Sequence, residues 1–504
     1  MANAGRRTGG TALATPAIAG SIPAVPVTGG TELDYADFLK AKTKAVPDAG
    51  FPVELTALNK MLFEWQKIIV RWAILKGKCA LFLDTGLGKT FCQLEWAYQI
   101  CKKTKGNVII FAPLAVSHQT QREGKKYGID VHISRGMSDI KVGINIANYE
   151  ILDKFDLSVF AGIVLDESSI IKHFGSKTSS ELITRCKTMK YKLCCTATPA
   201  PNDYVELGMH SEFLGVMKRA EMLATFFIND VMHANGVPEG GKWRLKGHAV
   251  CKFWEWVASW GCMVKTPSDL GFSDDGYILP ELKLIQHVVK VKETKTMKNG
   301  REALFEFEQA KTLNERRQAK RASLKERVGK AAEIANGFKD QVLIWCDLND
   351  ESAALKNIID GGVEVRGSDT TEHKIVTIID FTNGKLKAVI SKSSIYGFGI
   401  NLQNCHKIIF VSMNDSFERY YQAIRRCYRF GQKKPVEVHL ITGEQEGAVK
   451  ANIERKQRDA ERMGAEMAQY TKKILIKELF KNETSNDKYQ AIDKMRVPDW
   501  LEAV

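Results

Sequence analysis

Four groups of residues in this chain have the types and spacing that phosphate chemistry needs. The first is DTGLGKT, Asp84 to Thr90, between the apolar run KCALFL and a helix-like stretch. A glycine turn from strand to helix aims backbone N–H groups and the helix dipole at phosphate oxygens. In such a turn Thr85, Gly86 and Gly88 shape the cradle, Lys89 reaches the β- and γ-phosphates, and the Thr90 hydroxyl is placed for Mg²⁺. The strict pattern asks for glycine at position 83, where this chain has Leu83. The plainer reading is a strand–turn–helix junction that merely contains GKT.

The second group is Asp166–Glu167, closing the apolar run AGIVLD. An aspartate there can hold Mg²⁺ through water, and its neighbour can act as general base on an attacking water. Alone, such a pair is more often a charged helix start; behind a P-loop the balance reverses. The third is Thr196–Ala197–Thr198–Pro199, again at a strand end, and the plainer alternative is a turn before a proline-started helix. The fourth is SFERYYQAIRRCYRFGQ, 416–432, where Gln422, Arg426, Arg429 and Gln432 recur at intervals of four, three and three. That spacing predicts one helix face. Arginines presented across a cleft to a phosphate site stabilise transferring phosphoryl charge; otherwise the row is a solvated basic face.

These groups require strands to carry them. Short apolar runs at 107–113, 142–148, 161–167 and 191–199 alternate with helical or loop sequence, and the rhythm returns at 341–348, 363–367, 386–393, 406–413 and 436–442. Continuous apolar strands between helices predict parallel, doubly wound sheets. The expected architecture is α/β: a flexible arm over 1–50, a first lobe over 51–215, a mostly helical middle segment over 216–335, a second lobe over 336–445 and a helical tail over 446–504.

In their order, the motifs resemble those of the Swi/Snf family of superfamily-two helicase-like ATPases, over most of residues 60–460. Gln66 in LFEWQ matches that family's adenine-contacting glutamine. DTGLGKT, DESS followed by IKH, TATP, GFGINL (397–402) and QAIRRCYRFGQ match its successive motifs. The resemblance implies two RecA-like lobes with ATP and Mg²⁺ between them. It places Gly399 and Gln422 with the nucleotide-binding residues and makes Arg426 and Arg429 arginine fingers. It further implies a DNA-stimulated ATPase moving along double-stranded DNA, in a bacterial or virus-infected cytoplasm, as a monomer. A strand-separating DNA or RNA helicase, and a nucleic-acid-binding assembly protein with a silent ATPase, remain alternatives. Ser169 stands in place of the family's histidine and Tyr396 in place of a glycine.

Composition fits this picture. With 504 residues, 44% of them hydrophobic, the chain is long enough for several cores. Lys plus Arg is 73 against 59 acidic residues, a formal charge of +14 that favours a polyanionic partner. No stretch predicts a membrane span. The eleven scattered cysteines show no CxxC spacing, which argues against a disulfide framework or a thiolate metal site. Phe253, Trp256, Val257 and Trp260 at helical spacing read as core rather than as a base-stacking track. The basic run at 311–330 reads equally as phosphate contact or as a solvated face.

Overall fold

A computed structural model describes residues 48–113, 116–201, 203–230, 242–290, 320–396, 400–412 and 416–444, with scattered helical positions between 455 and 476. The strands, in chain order, are β1 (Lys78–Leu83), β2 (Asn107–Ala112), β3 (Val131–Ile133), β4 (Ile144–Asn148), β5 (Phe160–Asp166), β6 (Tyr191–Cys195), β7 (Phe227–Asp230), β8 (Lys242–Leu245), β9 (Gly261–Val264), β10 (Leu282–Val289), β11 (Val342–Cys346), β12 (Gly362–Val365), β13 (Ala388–Lys392), β14 (Lys407–Phe410) and β15 (Val436–Gly443).

They form two parallel sheets, ordered β3-β4-β2-β5-β6-β1-β9 and β10-β15-β14-β11-β13-β12, plus an antiparallel pair, β7 and β8. The chain is an α/β protein with two RecA-like lobes. Their inner strands are buried along almost their whole length, because helices cover both faces; hence unbroken apolar runs rather than alternation. In the first sheet β1 lies between β6 and β9, with Leu81 opposite both Cys195 and Cys262. This register brings the ends of β1, β5 and β6 to one edge, where Asp166 closes β5 and Asp84 and Thr196 follow β1 and β6.

The stretch 216–335 is not a body of its own. It contributes β9 to the first sheet and β10, paired along its full length with β15, to the second. Both strands lack an apolar rhythm distinct from their surroundings, so only the pairing reveals them. Phe253, Trp256, Val257 and Trp260 are buried; Phe253 packs on Phe226 and Trp260 edge-on against Phe82. The core reading of that stripe holds.

The basic run is divided: Arg321 and Lys325 are exposed, as on a solvated face, while two other cations turn inward. Within the helix Leu324–Gly337, Arg327 is fully buried and pairs with Glu351 at 2.5 Å, while just before it Lys320 pairs with Asp347 at 2.8 Å. Two of the cations thus serve lobe two's interior. Lys311, Arg316 and Arg317 lie outside the described residues, as do the N-terminal arm through residue 47 and most of the tail. All eleven cysteines are free thiols, and ten of them are buried or half-buried. Among the described residues no helix is long and apolar enough to cross a membrane.

Candidate active site between the lobes

Leu83 ends β1 wholly buried, so its departure from glycine lies in the strand and not in the turn. The turn itself needs two glycines. Gly86 has φ 91° and Gly88 φ 76°, in the left-handed region that side chains avoid. A Cβ on Gly88 would come within 2.5 Å of Gln66 Nε2, and one on Gly86 within 2.9 Å of the Phe430 backbone nitrogen. Gln66 is buried in the first turn of the helix Glu64–Lys76. Its Oε1 accepts the Phe63 N–H at 3.0 Å, and its Nε2 donates to the Leu87 carbonyl at 3.0 Å. One residue therefore caps its own helix and braces the glycine turn.

The helix Lys89–Thr104 begins directly after Gly88 and carries Lys89 and Thr90 in its first turn. Lys89 Nζ donates to the carbonyls of Leu83 at 2.9 Å and Asp84 at 3.4 Å. Burial lowers its pKa, opposed by the carboxylates of Glu167, Asp84 and Asp166, while Arg426 adds to the lowering. Asp166 and Glu167 are both buried. Glu167 has φ 52°, a strained conformation for a non-glycine residue that turns the chain sharply after β5. Its N–H donates to Asp166 Oδ1 at 3.1 Å, and its Oε2 accepts from Thr196 Oγ1 at 3.5 Å. Burial and then Glu167 hold the Asp166 carboxyl well above its ordinary range, relieved only in part by Lys89. Asp166 and Thr90 are hard oxygen donors of the kind Mg²⁺ takes.

From the second lobe, Arg426 is buried, with its pKa pushed down to about 10 by burial and held up chiefly by Glu167 and also by Asp166. Its Nη2 donates to Gln422 Oε1 at 2.6 Å, its Nε to the Gln422 carbonyl at 3.0 Å and its Nη1 to the Ile400 carbonyl at 3.3 Å. Lys89, Asp166, Glu167 and Arg426 thus share one electrostatic cluster assembled from both lobes. The predicted single helix face does not form. The helix ends at Ile424, and Arg426, Arg429 and Gln432 follow in successive turns that reverse at Gly431, φ 89°. Arg429 has Glu123 of lobe one as its first charged counterpart. Gln432 is structural: its Nε2 donates to the carbonyls of Gln403, Cys405 and Cys427, tying the arginine turns to the sheet. Gly399 lies outside the described residues.

Several residues at this junction escaped the sequence reading. Lys172 forms an ion pair with Glu418, whose other oxygen accepts from Thr198 Oγ1 at 3.5 Å. A link between lobes therefore runs from Lys172, three residues past Ser169. Ser168 Oγ meets His210 Nε2 at 3.1 Å, and burial pushes the His210 pKa down to about 4, so that ring is a neutral core partner. A cleft of about 600 Å³ opens between the lobes, lined by Glu167, Arg122 and His173 from the first and by Lys374, Ser394 and Arg419 from the second. Its cations are far apart in sequence, so no local pattern could have announced them.

Residues 321–431 match the model of the helicase conserved C-terminal domain. A protein of Acanthamoeba polyphaga mimivirus, named as a candidate ATP-dependent RNA helicase, is 31% identical over 105 residues, covering 20% of this chain and 19% of the relative. The matched segment thus spans about a fifth of that relative's length. The likeness to helicases therefore rests on lobe two, where residues 321–431 match a helicase conserved C-terminal domain.

Proposed function

We propose that this protein is a nucleic-acid-stimulated ATPase of Swi/Snf-like type that couples ATP hydrolysis to movement along duplex DNA. The observation that carries the reading is the lobe-two turn that holds buried Arg426 set against the glycine turn of lobe one, Arg425 Nη2 lying 3.5 Å from Asp84 Oδ2 and Tyr421 donating to Asp84 Oδ1 at 2.9 Å. Phosphoryl transfer is catalysed chiefly by positioning and electrostatics, and a site completed by two lobes makes hydrolysis conditional on closure. In this reading the turn Thr85–Gly88 and Lys89 hold the β- and γ-phosphates, and Gln66 offers its remaining amide valences to adenine. Glu167 takes the proton of the attacking water, and Arg426 and Arg429 face the γ-phosphate. Mg²⁺, held by Asp166 and Thr90, supplies neutralisation of phosphate charge when bound.

The cleft carrying Arg122, Lys374 and Arg419 is the proposed path for the nucleic-acid backbone. Contacts to phosphates accept every sequence, as movement along a polymer requires. A second reading, strand separation on RNA or DNA, draws on the name of the mimivirus relative. ATP hydrolysis measured with duplex DNA, single-stranded DNA, RNA and no polymer tests the ATPase. Triplex displacement beside forked-substrate unwinding separates the two movements. Absence of stimulation by every polymer would refute both readings.

A further inference from the structure

Arg425, the residue before the proposed finger Arg426, grips the phosphate turn from across the lobe boundary. Its Nη2 lies 3.5 Å from Asp84 Oδ2, with both side chains four-fifths buried. The guanidinium is flanked by the rings of Tyr421 and Tyr428, at 5.0 and 5.3 Å. Tyr421 adds a hydroxyl donated to Asp84 Oδ1 at 2.9 Å. The same Oδ1 accepts the Thr85 N–H at 2.6 Å, and the Asp84 carbonyl accepts from Lys89 Nζ. One aspartate therefore shapes the turn on its inner side and receives two polar groups of lobe two on its outer side. Five residues beyond Arg425, Phe430 packs directly on Gly86. An exposed ion pair contributes little, but here the planar cation is pre-oriented between two rings and shielded from water.

We infer that Arg425 is a positioning residue for the ATPase reaction: by holding Asp84 it sets the lobe-two arginine turn against the P-loop, so that Arg426 enters while Thr85 to Lys89 keep their phosphate-binding shape. The inference rests on the ATPase reading above. It is tested with Arg425→Ala, Arg425→Lys, Asp84→Asn and the double variant Arg425→Ala/Asp84→Asn in the full-length chain. The expected result is a kcat about tenfold to a hundredfold lower for Arg425→Ala, the scale of a misplaced catalytic group, with the KM for ATP near its parental value. Arg425→Lys should recover part of the rate, and the double variant should be no slower than the slower single. An unchanged kcat, losses that multiply in the double variant, or a rise in KM with kcat preserved would overturn it. Hydrogen exchange at the amides of Thr85 to Thr90 serves as a readout without turnover and should quicken in Arg425→Ala. If the parental chain hydrolyses no ATP, the functional reading fails on its own, and unchanged exchange in Arg425→Ala would then separately remove the grip.

Discussion

Glu167 combines two properties rarely joined in one side chain: a strained backbone and a buried carboxylate beside a second acid. Residues kept in such conformations cluster at functional sites, where the surrounding structure holds them. Glu167→Gln keeps the shape and removes the proposed general base, so turnover should fall by about 10²–10⁴, the range for such a base, while ATP still binds. Phosphate release and equilibrium binding of a fluorescent nucleotide check the two halves. Gly88→Ala acts differently. A methyl group would meet Gln66 Nε2 and take a φ that side chains rarely adopt, so nucleotide affinity itself should fall in a protein that still folds. Retained affinity in that variant would show that the turn does not hold phosphates.

At the scale of elements, the helix Leu324–Gly337 is held by the wholly buried pair Arg327 and Glu351. Arg327 Nη1 also donates to the Val411 carbonyl, and Glu351 Oε2 accepts from Ser412 Oγ and from the N–H groups of Asp347 and Leu348. Removing one member leaves the other charged and unpaired in the interior, a loss of about 3–5 kcal/mol. Glu351→Ala should therefore unfold lobe two at markedly lower denaturant, as followed by Trp345 fluorescence; an unchanged midpoint would contradict the burial argument. The basic run around Arg327 was legible as charge, but not as interior charge. Composition counts cations without saying which have a carboxylate waiting on a neighbouring helix.

For the whole molecule, the decisive contacts are those that cross between lobes: Lys172 and Thr198 with Glu418, and Asp84 with Tyr421 and Arg425. Glu418→Ala should lower polymer-stimulated hydrolysis more than the rate without polymer, since it loosens closure and leaves the P-loop intact; steady-state rates with and without DNA decide. The cleft makes a further demand. If Arg122, Lys374 and Arg419 each contact a phosphate, affinity should fall with salt with a log–log slope of about −3, and Lys374→Ala should reduce that slope by about one. Binding titrations at several salt concentrations measure both, and a slope near zero would exclude the cleft as a polyanion path.

The chemistry-bearing turns were readable from sequence because each is local. A glycine turn between strand and helix, an acidic pair at a strand end and an arginine-rich segment each declare themselves within a few residues. So did the parallel sheets, since strands buried on both faces leave continuous apolar runs. The sequence could not disclose that the arginine row is a set of turns instead of a helix face, because the turns after Ile424 are held by bonds of Arg426 with Ile400 and Leu402 and of Gln432 with Cys405, more than twenty residues back along the chain. Nor could it show that β9 and β10 belong to different sheets, or that Asp84 is shared between lobes. Those are pairings of distant residues, and only the folded chain brings their charges within reach of one another.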